Sequence, residues 1–364
     1  MAMERDAQTE QIEQKEQTQH GKEAASPPKR ILVLGAEKLG EWSKRPYLEV
    51  AGVVDLYDES ERLPAEDRVW LDRYPVYPDV DTALVQSSAE LAVIIVPNDC
   101  KNTIDAERKV LERGLDLIVQ KLRLDSAEDM WELVQLSRRS SSGGGGGKFI
   151  VGEFYRYLAS IRTIKSLLQD HSVVGKIEYV VWNCTLPLTS NVHNRWMSSY
   201  KHVTLEDLSY HHFGTLHYLL GFHPVTLYAQ SYKPSWAKVG TLPIAAMQAK
   251  TSEGYRLHYL TTWGSRAEPT DYLGDIRIEG ERGTIELKGG RVSITGSNGV
   301  IREAELLPAR YEGFFGIFDH LHDVWQGKDT HIDGSPYTIE QFEPVLRTMY
   351  SAVRSAETGE AVLL

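Results

Sequence analysis

An α/β fold built on two sheets is what this sequence predicts. A parallel sheet with helices on its faces is expected in the N-terminal part, and an open, mostly antiparallel sheet with helices in the C-terminal part. Two patterns carry the expectation. Up to about residue 151, short continuous apolar runs alternate with amphipathic segments, the signature of βαβ units. After about residue 155, strand-like runs follow one another across short glycine-containing turns, the signature of hairpins. A length of 364 residues, 41% hydrophobic and 25% charged, fits a globular chain of two domains.

The first element begins near Arg30. Residues 1–28 carry many Glu and Gln and almost no large apolar side chain, so they cannot offset the entropy of ordering and are expected to form a disordered tail. Ile31–Leu34, Val50–Val54, Leu91–Val96 and Leu115–Val119 are apolar runs suited to strands buried on both faces. Thr103–Arg113 places Ile104, Val110 and Leu111 among charges and stops at Gly114, an amphipathic helix. Asp125-Ser126 caps another helix through Met130, Leu133, Val134 and Leu136. Ser140–Gly147, three serines and five glycines, reads as a flexible loop, and Phe149–Val151 as one more strand of the first domain. The division expected is therefore 29–150 and 151–364. In the second part a helix over 160–168 leads to a strand over 176–184. Further strands are expected at 225–232, 241–249, 256–263, 274–279, 283–287 and 291–295, and closing helices at 311–324 and 339–353.

Composition excludes several function classes. Forty basic against 51 acidic residues leave a net charge of −11, which opposes non-specific nucleic-acid binding. No apolar run reaches the length of a membrane span, and the polar N-terminus has no secretory apolar stretch. Cys100 and Cys184 are too few for a disulfide framework or a four-thiolate metal site, which fits a reducing, cytoplasmic setting.

Three places carry chemistry. The turn after the first strand, Gly35-Ala36-Glu37-Lys38-Leu39-Gly40, holds two of the three glycines of a dinucleotide-binding turn. Glu37 stands where the second glycine would let a pyrophosphate approach, and its carboxylate has the wrong charge for that neighbour. Pro46 limits the following helix to about two turns. Asp55 follows the second strand, about 20 residues after the first glycine, where an acid bonds the ribose 2′-hydroxyl and favours NAD over NADP; a strand-end aspartate capping a turn is the competing account. Lys121 closes the fourth run, at the sheet edge where ligands bind, either as a cation steering a substrate oxygen or as an exposed strand end. The densest polar stretch runs from His193 to His223. On a helix over 206–220, Asp207 and His211 stand four apart on one face, where a carboxylate would hold the imidazole as a general base. His212 is turned away by about 100°. Tyr200, Lys201 and His202, just upstream, are candidates for binding substrate hydroxyls. Asp207 and His211 also admit a metal site or a structural pair, although no metal-ligand signature supports the former.

Taken together, these residues resemble the Gfo/Idh/MocA oxidoreductases over roughly residues 29–364. Val96-Pro97-Asn98 is similar to the family's segment after its fourth strand. The run Leu115 to Leu122 resembles the strand ending Glu-Lys-Pro, with Gln120 and Leu122 in place of the glutamate and proline. Val151-Gly152-Glu153-Phe154-Tyr155-Arg156-Tyr157 resembles the stretch that opens the second domain. Leu205 to Phe213, ending Leu219-Leu220-Gly221, resembles the Asp-x-x-x-His helix, with Gly214 where an aspartate is often found. Ser355 to Gly359 matches the usual ending.

The resemblance implies a Rossmann-like domain followed by an α/β substrate and oligomerisation domain. It implies hydride transfer between NAD and the secondary alcohol or ketone of a sugar, cyclitol or related polyhydroxy compound. Lys121 would polarise the reacting oxygen, His211 would be the acid/base, and Asp207 would hold it. Gly35, Ala36, Gly40, Asp55, Pro97, Asn98 and Gln120 would border the dinucleotide, and Arg156, Tyr200, Lys201 and His202 the substrate. A homo-oligomer without metal is implied. Glu37, Gln120 and Leu122 all depart from the pattern on the cofactor side, and they support the alternative of a redox-inactive ligand-binding or partner protein.

Overall fold

The computed structural model describes residues 27–56, 65–96, 103–122, 124–142, 147–187, 197, 199–328 and 333–364. The first sheet has six parallel strands, β1 (Lys29–Leu34), β2 (Leu48–Val54), β3 (Val76–Tyr77), β4 (Leu91–Ile94), β5 (Asp116–Val119) and β6 (Phe149–Val151), in the order β3-β2-β1-β4-β5-β6. Its helices are α1 (Ala65–Leu71), α2 (Val80–Gln86), α3 (Ile104–Glu112) and α4 (Ala127–Ser142). The sequence pattern did not single out α1, α2 or the two-residue β3. Each is too short to show a full period of apolar residues. Ile31, Val33, Val93, Ile95 and Ile118 face one side of this sheet and Leu32, Leu34, Ile94, Leu117 and Val119 the other, all buried. Burial on both faces explains why the strands read as continuous apolar runs.

The turn and helix after β1 differ from the nucleotide-binding pattern. Leu39–Lys44 forms a 3₁₀ helix of six residues. Lys38 ahead of it is left-handed, with φ 55°. Pro46 and the early start of β2 leave no room for longer α-helical structure.

The second sheet has nine strands in the order β14-β13-β12-β11-β7-β10-β9-β8-β15. They are β7 (Ile177–Pro187), β8 (Pro224–Tyr232), β9 (Ile244–Thr251), β10 (Arg256–Ser265), β11 (Asp275–Gly280), β12 (Gly283–Lys288), β13 (Arg291–Gly296), β14 (Ile301–Glu303) and β15 (Val362–Leu363). Every pairing is antiparallel except β10 with β7. One face carries Leu227, Ala229, Met247, Leu257, Tyr259, Val180 and Trp182 into the core, covered by α5 (Ala159–Gln169), α6 (Ser209–Leu220) and part of α8 (Ile339–Thr358).

Three expectations are corrected. The serines of the expected 140–147 loop belong to helix α4 as far as Ser142, where Ser140 Oγ bonds the Leu111 carbonyl at 3.3 Å; residues 143–146 lie outside the described residues. The helix expected from 311 begins at Gly316 as α7 (Gly316–Trp325), because Gly313 is left-handed and Gly316 lies directly against Tyr311. The helix expected over 206–220 opens with a π-helical turn, Thr204–Leu208, before α6. The two sheets are also less separate than a serial reading implies. Helix α7 folds back over the first sheet, setting Phe315 and Phe318 edge-on to Trp42 at 4.9 and 5.0 Å. Helix α8 starts from a capping box at Thr338 and Gln341, and Tyr337 accepts the Val151 N–H of β6 at 2.8 Å.

Candidate active site

The carboxyl ends of the parallel strands converge on one edge, the place where open α/β sheets bind ligands. Gly35 follows β1 and Asp55 follows β2, and the Gly35 N–H bonds the Val54 carbonyl at 2.8 Å. Gly35 has φ +123°, and a Cβ on it would meet the Ile95 carbonyl at 1.9 Å. This glycine is required by the fold itself, whatever binds beside it. Ala36 is fully buried. Gly40 lies under the Trp70 indole, where a Cβ would come within 2.8 Å of Nε1, so it serves packing of the 3₁₀ turn on α1. Glu37 is half-buried on the turn. Pro97 and Asn98 lie outside the described residues. Gln120 follows β5, and its N–H bonds the Ile94 carbonyl at 2.9 Å.

Lys121, next in the chain, reaches α6. Its ammonium donates to the Asp207 carboxylate and to the Asp207 carbonyl at 3.3 Å, and lies 5.7 Å from the centre of the Tyr210 ring. Both side chains are nearly buried, at 10% and 6% exposure. The residues are 86 apart in sequence, and only the packing of the π turn against the end of β5 unites them. Leu122 is buried in the core, and the peptide joining it to Lys121 is trans.

His211 is placed beside this pair, but Asp207 does not hold it. Its Nδ1 lies 2.7 Å from Oε2 of Glu153, a carboxylate only 2% exposed. The Asp207–His211 bond expected from helical spacing is corrected on physical grounds. The π turn ending at Leu208 widens the helix, so a separation of four no longer aligns the two side chains, and the Asp207 carboxylate is committed to Lys121. Tyr155 stacks flat on the imidazole, with centroids 4.5 Å apart and planes 8° apart. Burial drives the Tyr155 phenol well above its ordinary pKa, and the neighbouring Tyr272, Glu153 and Asp207 add to the shift. Burial, then the Asp207 charge, pushes the Tyr272 phenol up to about 12. The Tyr155 and Tyr272 rings lie 6.4 Å apart, and both are near the Asp207 carboxylate. His212 points the opposite way, stacked on Trp182 and bonded to the Tyr259 hydroxyl at 2.9 Å, and complete burial holds it neutral.

The structure does not bring the remaining expected residues to this group. Arg156 is 3% exposed and donates to the carbonyls of Asp333 and Ser335 between the rings of Tyr218 and Tyr337. Both terminal nitrogens are spent inside the protein and Nε is buried without a hydrogen-bond partner among the described residues, so the guanidinium is enclosed and its reading as a substrate ligand is corrected. Lys201 is exposed and paired with Glu357 at 2.7 Å near the end of α8. The His202 imidazole is buried 3.6 Å from the same carboxylate, and its backbone N–H bonds Glu206 at 2.6 Å. Tyr200 is half-buried against the core. Among the described residues, neither Lys201 nor His202 contacts Lys121, Asp207 or His211. Sequence reasoning missed Glu153, Tyr155 and Tyr272. The available signal was the position of Gly152-Glu153 just past a parallel strand, at the ligand-binding edge of the sheet. Among the described residues, no group of three or more acidic, histidine or cysteine side chains is arranged to hold a metal.

No protein-family model matches the chain, and no curated protein matches it. Its three-dimensional structure, however, is similar to solved ones. An oxidoreductase from Agrobacterium radiobacter, in complex with NAD+, L-tartaric acid and magnesium, superposes with a TM-score of 0.73 at 16% identity, covering 92% of this chain and 98% of the other. An inositol dehydrogenase homolog from Azotobacter vinelandii, complexed with NADH and myo-inositol, gives 0.71 at 17%, covering 93% and 98%. The WlbA dehydrogenase from Bordetella pertussis, in complex with NADH and UDP-GlcNAcA, gives 0.70 at 18%, covering 93% and 99%. The chain has the fold of these oxidoreductases. The match spans nearly the whole of each neighbour. The resemblance to Gfo/Idh/MocA proteins thus holds at the level of the fold.

Proposed function

We propose that this protein is an NAD-dependent oxidoreductase acting on the secondary alcohol or ketone of a sugar, cyclitol or related polyhydroxy compound. The observation that supports the reading is the buried Lys121–Asp207 pair at the carboxyl edge of the parallel sheet, with His211 set against the same Tyr210 ring that Lys121 approaches. A lysine fixed by a carboxylate presents a cation to a reacting oxygen and stabilises negative charge there. An imidazole beside it, free at one nitrogen, takes the hydroxyl proton during oxidation and returns it during reduction. Nicotinamide, when bound, supplies the hydride acceptor or donor.

The residues at the cofactor edge fit a dinucleotide at its two ends. Asp55 stands at the end of β2, where its carboxylate suits a ribose 2′-hydroxyl and repels a 2′-phosphate, which favours NAD. Lys121 and Gln120 stand at the end of β5, beside the proton-transfer group. The middle fits less closely. A six-residue 3₁₀ helix offers a poorer array of N–H groups to a pyrophosphate than an α-helix does, and Glu37 adds negative charge. That turn favours a second reading, a redox-inactive member of the same fold that binds a ligand or partner. Residues 29–150 and 151–364 then serve as the nucleotide and substrate parts, and the open face of the nine-stranded sheet as the surface of a homo-oligomer.

Titration of the purified protein with NADH and NADPH, followed by nicotinamide fluorescence, tests the proposal. Micromolar NADH binding with weaker NADPH binding supports it. Absence of both from a protein that melts cooperatively overturns it in favour of the second reading.

A further inference from the structure

We infer that Glu153 is the positioning residue of this site, and that its carboxylate holds His211 in the tautomer with the proton on Nδ1 and a bare lone pair on Nε2. The inference rests on the proposed role of His211 in proton transfer, but its physical basis is separate. An ionised carboxylate only accepts hydrogen bonds, so the hydrogen in the 2.7 Å contact belongs to the ring nitrogen. A histidine's second nitrogen is defined by what its first one bonds, and here that leaves Nε2 as the base.

Glu153 is itself fixed. Its second oxygen accepts the Tyr155 N–H at 2.7 Å, so the carboxylate is bound at both oxygens. Gly152, one residue earlier, lies against the end of β5, where a Cβ would meet the Gln120 carbonyl at 2.5 Å. This close approach brings Glu153 to the same sheet edge as Lys121. Tyr155 closes one face of the imidazole by flat stacking, which limits ring rotation. Gly214, one turn along α6 from His211, completes the arrangement: a Cβ there would be 3.1 Å from Glu153 Cγ and 3.1 Å from the Phe342 ring. The absence of a side chain on α6 leaves the space that the Glu153 side chain occupies. The site therefore uses two carboxylates for two tasks, Asp207 for the lysine cation and Glu153 for the imidazole.

Long-range ¹⁵N–¹H NMR of the histidine rings reads this directly and needs neither substrate nor turnover. The His211 signal is assigned among the 12 histidines by its loss in His211→Asn. The wild-type protein is expected to show His211 protonated at Nδ1, and Asp207→Asn is expected to leave that tautomer in place. Glu153→Met, which keeps length and removes the acceptor, is expected to lose it in favour of the Nε2–H form. An Nε2–H ring in the wild type, or a tautomer that changes with Asp207→Asn, overturns the inference without any Glu153 variant having to fold. If the tautomer follows Glu153 while NADH fails to bind, the positioning role stands and the proposed reaction falls.

Discussion

Two short contacts divide the labour of the candidate site, Lys121 with Asp207 and His211 with Glu153. On the proposed reading, Lys121→Ala and His211→Ala each lower kcat/KM by about 100-fold or more, the usual worth of a positioned proton-transfer or charge-stabilising group. Both variants are expected to stay folded with a lowered melting transition, because each leaves a nearly buried carboxylate without its partner. Turnover near the wild-type rate in either one would falsify the assignment. Glu37 is the opposite case, a residue whose chemistry works against a bound pyrophosphate. Glu37→Gly removes its charge and bulk, so NADH is expected to bind about three- to tenfold more tightly, a gain of roughly 1 kcal/mol. The same fluorescence titration reads it, and unchanged affinity would separate the turn from the nucleotide.

Helix α3 carries a buried acid that has no part in the site. Glu107 is fully buried and accepts a bond from the Thr103 hydroxyl at 2.9 Å, while its Oε2 has no hydrogen-bond partner among the described residues. Burial pushes its carboxyl up to about 8. The sign of the linkage follows. The unfolded chain loses this proton near the ordinary carboxylate value and the folded chain only near 8, so the stability contributed by neutral Glu107 is full at low pH and is lost as pH rises toward 8. Glu107→Gln imitates the neutral acid at every pH. Denaturant unfolding at pH 5 and pH 8 is expected to show the variant level with wild type at the lower value and more stable at the higher. An equal difference at both values would mean that the carboxyl ionises normally. The π turn before α6 acts at the same scale. It sends Asp207 to Lys121 and leaves His211 to Glu153, a re-aiming that an unbroken α-helix would not produce.

At the scale of the whole molecule, no layer of the described residues covers the centre of the outer face of the nine-stranded sheet. Tyr228, Tyr232 and Leu260 are 38%, 49% and 42% exposed there, beside grooves of ≈ 510 and ≈ 320 Å³. The proposed homo-oligomer would cover this face. Leu260→Glu places a charge at its middle without touching the core, and sedimentation is expected to show loss of the higher-mass species while the far-UV spectrum is unchanged. A monomeric wild-type protein would remove the oligomer from the proposal. Among the described residues, no helix is long and apolar enough to cross a membrane.

The sequence by itself determined where along the chain the main strands of both sheets lie, because strands buried on two faces must be apolar throughout and hairpins need glycine-rich turns. It also singled out Lys121, Asp207 and His211 as candidates for the proposed site. Tertiary structure decided which of them are partners. Helical spacing paired Asp207 with His211, but a carboxylate binds the nearest strong donor in space, and packing delivered Lys121 from 86 residues away. Arg156 looked available as a ligand until the Asp333–Ser335 segment and two tyrosine rings enclosed it. Glu153 had no role in the sequence pattern, and only the fold gives it space beside Gly214 and a donor in His211. Local pattern reports which side chains are buried or exposed along one element, whereas hydrogen bonds between elements depend on the path of the whole chain.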